Sequence, residues 1–111
     1  MTYAVGGNAR TREAAVDANA EYTDWVRLYC RGSANVFTAS VADDSTTLSC
    51  VWVVQARRIK SDGTAGNIIT LYTSGAASNG GAQTAQLAGT WEVRCGLLTR
   101  AAGSGVAAIS W

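Results

Sequence analysis

An all-β fold, an antiparallel β-sandwich of six to seven short strands behind an extended N-terminal arm, is what the sequence predicts. Three observations predict it. From Asp24 onward, apolar and polar residues alternate with period two. The alternating runs are rich in Val, Ile, Thr and Trp, which suit a pleated, half-buried surface. Short clusters of Gly, Asp and Ser separate the runs, and the chain has no proline.

Residues 1–22 differ from the rest and are expected as an arm, with residues 23–111 as the sandwich domain. Thr2 to Asn8 is small and glycine-bearing, and Thr11 to Ala20 is alanine-rich, the composition of a short helix. In such a helix Glu13, Asp17 and Glu21 would stack at i, i+4 spacing, where like charges repel. No strong apolar face would anchor it. The segment is therefore expected to become ordered against something else, or to fray as termini do.

Trp25 to Cys30 reads as the first strand of the sandwich, closed by Arg31-Gly32-Ser33. Val36 to Ala42 is the next, with Phe37, Ala39 and Val41 on one side. Asp43-Asp44-Ser45 is a turn. Thr46 to Lys60 is the longest run: Leu48, Cys50, Trp52 and Val54 share one face, and Val51, Val53, Gln55 and Arg57 the other. Asp62-Gly63 is a hairpin signal, and Asn67 to Thr73 returns as the partner. Ser74 to Gly81 is a loop of small residues, followed by a short edge strand over Gln83 to Leu87. After Gly89-Thr90, Trp91 to Leu98 alternates again. A glycine turn over Ala101 to Gly105 leads into the last strand, Val106 to Trp111.

The chain has 111 residues, one domain by size. Surface scaling puts roughly 65% of the unfolded chain's area out of water, enough for one core without metals or disulfides. Hydrophobic residues at 48% against charged residues at 15% argue against disorder. The net charge of +1 gives little long-range attraction to nucleic acid or an anionic membrane. No apolar run approaches the ~20 residues of a membrane span. Met1 to Ala20 carries four charged residues and no apolar stretch, so it does not read as a signal peptide, and the expected site of synthesis and assembly is a cytoplasm.

Catalytic chemistry is hard to build from these residues. The chain has no histidine, so no Ser-His or Cys-His nucleophile pair exists. Asp43, Asp44 and Asp62 sit in expected turns, where aspartate bonds to nearby backbone. A calcium role for Asp43-Asp44 lacks the spacing of a calcium loop. Cys30, Cys50 and Cys95 are odd in number, lack CxxC spacing and lie in apolar runs, so they are expected as small core residues. No enzyme activity, cofactor or metal is expected.

The basic cluster Arg57-Arg58-Lys60 reads as a solvated strand end or as a salt-bridge patch for a protein partner. Nucleic-acid binding ranks third, because aromatic residues do not interleave with the basic ones along the sequence. Trp52 and Trp91 are expected in the core. Trp111 packs either in this chain or on a neighbouring subunit, and an exposed aromatic can also stack on a sugar ring.

The order of these features resembles the small β-sandwich virion proteins of tailed bacteriophages, which decorate, cement or connect parts of the capsid, neck and tail. The resemblance covers about residues 33–111. It rests on the long strand through Val51-Trp52-Val53-Val54-Gln55-Ala56-Arg57-Arg58, the Asp62-Gly63-Thr64 turn, Gly89-Thr90-Trp91-Glu92-Val93-Arg94, and the Gly103-Ser104-Gly105 turn into a final strand. It implies a non-enzymatic structural protein of the virion that binds a major capsid or neck/tail protein. It also implies a homo-oligomer, a trimer by lattice symmetry. The contacts are expected at Tyr3, Val5, Arg10, Arg12, Val16 and Tyr22 of the arm and at Trp111. The alternative is a carbohydrate-binding or host-recognition module of a phage tail, with exposed tryptophan near Asn79 and Asp62.

Overall fold

The computed structural model describes residues 10–29, 35–44 and 46–111. Two antiparallel sheets pack face to face. Among the described residues the strands are β1 (Thr11–Val16), β2 (Glu21–Tyr22), β3 (Val26–Leu28), β4 (Asn35–Asp43), β5 (Ser49–Ile59), β6 (Ala65–Thr73), β7 (Gly80–Leu87), β8 (Trp91–Ala102) and β9 (Gly105–Ser110). One sheet has the order β1-β9-β4-β7. The other has the order β2-β8-β5-β6, with β3 also paired to β8. The fold is the β-sandwich that the alternation predicts, with more strands than expected because short pairings at the edges add to the long ones.

The core is the set of inward positions of both sheets. Phe37, Ala39 and Val41 of β4, with Ala107 and Ile109 of β9, face Cys50, Trp52, Val54 and Ala56 of β5 and Val93, Cys95 and Leu97 of β8. All are nearly inaccessible to solvent, as period-two alternation requires of a sheet with one buried face. Trp52 is the largest buried side chain, and its ring lies 4.9 Å from that of Tyr72. Trp91 is only partly buried, its indole N–H donating to the Ala88 carbonyl at 2.8 Å. The Cys50 and Cys95 thiols are free and buried in this core. Burial pushes the Cys95 thiol up to about 12 and raises that of Cys50. Cys30 lies outside the described residues.

Thr11–Val16 is a strand, not the helix that its alanine content suggests. The segment has no apolar face at helical spacing, whereas β9 offers an unpaired row of backbone groups. Pairing runs from Thr11↔Ser110 to Val16↔Gly105 and is extended by reciprocal backbone hydrogen bonds between Arg10 and Trp111 (3.1 and 3.0 Å). The chain then turns at residues 17–20 and crosses to the other sheet. There the Glu21 carboxylate accepts the Asp17 backbone N–H at 2.7 Å, the main reason its pKa is lowered. Residues 11–16 and 21–22 therefore pair into the two sheets of the sandwich rather than standing apart from it. Tyr3 and Val5 lie outside the described residues.

The Asp-Gly turn forms as predicted. Ile59 pairs with Ala65, and Gly63 takes the left-handed conformation (φ +88°) that closes the loop. Asp62 accepts the backbone N–H and hydroxyl of Thr64 at 3.0 and 2.7 Å, which lowers its pKa. Asp44 similarly accepts the Ser104 hydroxyl and the Thr46 backbone N–H, stitching two turns together. These carboxylates hold backbone, and among the described residues no three His, Cys, Asp or Glu residues gather as a metal site would need.

Candidate interaction surface

The outward side of the β2-β8-β5-β6 sheet carries a connected set of ion pairs, hydrogen bonds and ring contacts. Its base is a cross-strand row set by register: Arg27 of β3 lies opposite Glu92 of β8, which lies opposite Arg57 of β5. The side chains follow the backbone. Arg27 reaches one Glu92 oxygen at 3.0 Å, and Arg57 reaches the other at 2.7 Å. Burial works against the Glu92 charge more than any other single influence. The hydrogen bonds and charges of Arg57 and Arg27 together outweigh it and hold the carboxyl below its usual range. The bond to Glu92 raises the pKa of Arg27 in turn.

The next row is one pleat along β8. Arg94 lies opposite Gln55, and its Nε–H donates to the Gln55 side-chain oxygen at 2.9 Å. Across the other edge, the segment from Ala20 to Leu28 runs antiparallel to β8 with one extra residue. Tyr22 pairs with Gly96 and Val26 with Val93, so three residues (23–25) oppose two (94–95). Thr23 is buried at this bulge. Its N–H donates to the Cys95 carbonyl, and its hydroxyl accepts the Cys95 N–H. The bulge sets both Tyr22 and Trp25 against Arg94, whose guanidinium carbon lies 4.1 Å from the Tyr22 ring centre and 4.5 Å from that of Trp25. Arg57 lies 4.2 Å from the same Trp25 ring. Tyr22, Arg94, Trp25, Arg57, Glu92 and Arg27 thus form one continuous chain of rings, guanidiniums and a carboxylate.

Gly96 makes this arrangement possible. A Cβ there would stand 2.1 Å from the Glu21 carbonyl oxygen and 2.5 Å from the Tyr22 Cα, so any side chain would lever β2 off the sheet. Burial lowers the Arg94 pKa, and the Arg57 charge adds to the effect. The group still carries its charge at neutral pH. Arg27 and Arg57 share the Glu92 carboxylate while Arg94 donates to the neutral Gln55 side chain, so the chain of contacts holds three guanidiniums and one carboxylate, an excess of positive charge.

The residues expected from sequence are dispersed. Tyr22 is in this chain of contacts. Arg12 extends toward it, with an Nη group 3.5 Å from the Trp25 carbonyl, the outer limit of a hydrogen bond. Val16 is 1% exposed and packs in the core, so its apolar surface is satisfied within the chain. Arg10 and Trp111 adjoin through their backbone hydrogen bonds at the end of the β1–β9 pairing. With Arg27, Leu28, Tyr29 and Val36 they line a cleft of about 220 Å³, below the ~300 Å³ of ordinary ligand pockets. Trp111 is half-buried and leans on its own core. Trp25, Gln55, Glu92 and Arg94 were not among the contact residues expected from the sequence. The only local signal for them is their outward phase. Aromatic and basic residues, separate along the chain, do interleave in space, which removes the argument that ranked nucleic acid low. No family model, curated protein or solved structure matches this chain.

Proposed function

We propose that this chain is a non-enzymatic structural protein of a bacteriophage virion, one that binds and stabilises a capsid or neck protein lattice. The fold suits such a role without being specific to it. What carries the reading is the Tyr22–Arg94–Trp25–Arg57 surface. Tyr, Trp and Arg are the residues that dominate protein–protein contacts when held rigidly near the centre of an interface. Here they are held by strand register, by one another and by Glu92 and Gln55, so little side-chain freedom remains to be lost on docking. The molecule measures 42 × 38 × 19 Å. One broad side therefore offers more than the ~800 Å² per partner of a standard interface. Repetition of the contact around a homo-oligomer, a trimer on a lattice of local threefold symmetry, adds avidity.

The experiment uses particles assembled without the chain. Purified protein is expected to co-sediment with them saturably, at a fixed ratio to the capsid or neck subunit. Absence of the chain from intact particles by mass spectrometry, together with no co-sedimentation, would overturn the proposal. Removing residues 1–9, with Tyr3 and Val5, is expected to keep the melting transition and weaken attachment. A longer deletion through residue 22 removes β1 and β2 and would report on folding instead.

One feature favours the second reading, a carbohydrate-binding or host-recognition module of a tail. Tyr29 is 63% exposed beside Trp111 in the small cleft, an aromatic pair that a sugar ring could cover. Titration of tryptophan fluorescence with a panel of saccharides tests it. No response at millimolar sugar retires the reading.

A further inference from the structure

We propose that Arg94 is the receptor for a carboxylate side chain on an acidic segment of the partner protein, with Trp25 and Tyr22 fixing its orientation. The inference rests on the reading above and names the partner's chemistry at the same surface. Arg27 and Arg57 spend their charge on Glu92. Arg94 differs from both. Its Nε–H is used on the neutral Gln55 side chain, and no carboxylate among the described residues forms an ion pair with it. Asp24 is exposed in the adjoining bulge and forms no such pair either.

A guanidinium has five N–H donors in a planar fork, and the fork matches a carboxylate in a bidentate geometry. With Nε occupied, the two Nη groups remain for an incoming acid. The rings at 4.1 and 4.5 Å fix the plane of that fork without neutralising its charge. Half-burial lowers the local dielectric, which strengthens a bond to an oxyanion delivered there. The excess positive charge of the surrounding contacts favours an acidic segment over a neutral one. An acidic protein segment is also favoured over nucleic acid. Trp25 already carries two guanidiniums, which leaves less ring surface for the base stacking that single strands use.

The test is a ¹⁵N NMR titration of the full chain with an acetylated, amidated hexaglutamate peptide at low salt. Saturable shifts are expected at the Arg94 Nε–H, the Trp25 indole N–H and the β8 amides around them, weakened by 0.5 M NaCl. Arg94→Gln is expected to weaken binding about tenfold, the effect of losing one charge-assisted contact. Arg94→Lys keeps the charge but loses the fork, so it is expected to fall between the two. If Arg94→Gln does not fold, Gln55→Ala frees the Nε–H while leaving both rings in place, and a several-fold weakening is expected there. Three results overturn the proposal: no shift at millimolar peptide; equal binding by the variants; or tighter binding of a decathymidylate at the same amides. A fourth is the same shifts on concentrating the protein alone, which would make a second copy the occupant. Peptide binding by a chain absent from virions refutes the structural role alone. A chain present in virions that ignores the peptide refutes this inference alone.

Discussion

The two outward sheet surfaces follow the same alternation and end as opposites. The outward positions of β1, β9, β4 and β7 include Thr11, Glu13 and Ala15, then Val106, Ala108 and Ser110, then Thr38, Ser40 and Ala42, then Ala82 and Thr84. Short hydroxyls pair across strands there, Thr38 with Thr84 at 3.1 Å and Thr11 with Ser110 at 3.4 Å, and Glu13 is the charge among them. The other surface places long side chains at equivalent positions and lays them over one another. A surface of short side chains has little rotamer entropy to lose and little charge to desolvate, so it can be covered by many partners. A surface of ordered guanidiniums and rings discriminates, because a partner without matching acids leaves charges unmet. Under the proposed function, specificity belongs to this one sheet.

Gly96→Ala is expected to cut most deeply into that difference. The new methyl meets backbone rather than a flexible side-chain tip, so β2 must leave β8 and take Tyr22 away from Arg94. Overpacking plus lost pairing is expected to cost about 3 kcal/mol. Chemical denaturation checks this, and hydrogen exchange should show lost protection at residues 20–23 with β9 untouched. A variant as stable as the parent would mean that β2 does not hold the ring against Arg94.

Much of the fold is legible in the sequence because it is local. Val51 to Arg57 and Trp91 to Leu97 alternate cleanly, and their burial in the structure follows that alternation except at Trp91, an inward position only partly buried, and at Val53 and Gly96, outward positions that are buried. Gly96 lies against the edge strand β2, and Val53 is its cross-strand partner on β5. Thr11–Val16 was not legible as a strand, since only Val16 is buried and the pairing with β9 lies almost a full chain length away. The candidate surface was less legible still. Arg27 meets Glu92 across 65 positions and Arg94 meets Gln55 across 39. The bulge at residues 23–25 decides which side Trp25 takes. Neither long-range register nor a one-residue bulge leaves a mark in local composition.

Trp25→Ala removes the ring shared by Arg57 and Arg94 while leaving every backbone pairing in place. A loss of about 1–2 kcal/mol is expected, two half-buried cation–π contacts with some packing area. The matching check is that Arg94 Nε–H exchange accelerates in the variant. Acid provides a gentler probe of the same surface. Glu92 titrates below its unfolded value of about 4.3, so its contribution is fully present above that pH and is lost as pH falls through the lower folded value. The expected result is a melting temperature that declines below about pH 4.5. Glu92→Gln should be less stable at pH 7, because two guanidiniums lose their shared anion, and should flatten the acid decline. An unchanged decline in Glu92→Gln would assign the acid sensitivity to other carboxylates.

The smallest effect is expected from adding a long charged side chain to the opposite surface. Ala108 is half-exposed on β9, with Glu13 and Ser40 as its cross-strand neighbours. In Ala108→Lys the ammonium has room above the sheet and an opposite charge on the adjacent strand, and such cross-strand pairs contribute roughly 0.2–1 kcal/mol. The cost of ordering the lysine offsets most of that gain, so stability should move by no more than about 0.5 kcal/mol in either direction. The same variant should leave hexaglutamate binding at Arg94 unchanged, because the added charge sits on the far side of the sandwich and is screened beyond about 10 Å at 0.1 M salt. A large loss of stability would show that the small-residue surface is a packed surface like the core. A gain in peptide affinity would show that net charge, rather than the ordered fork of Arg94, draws the acid in.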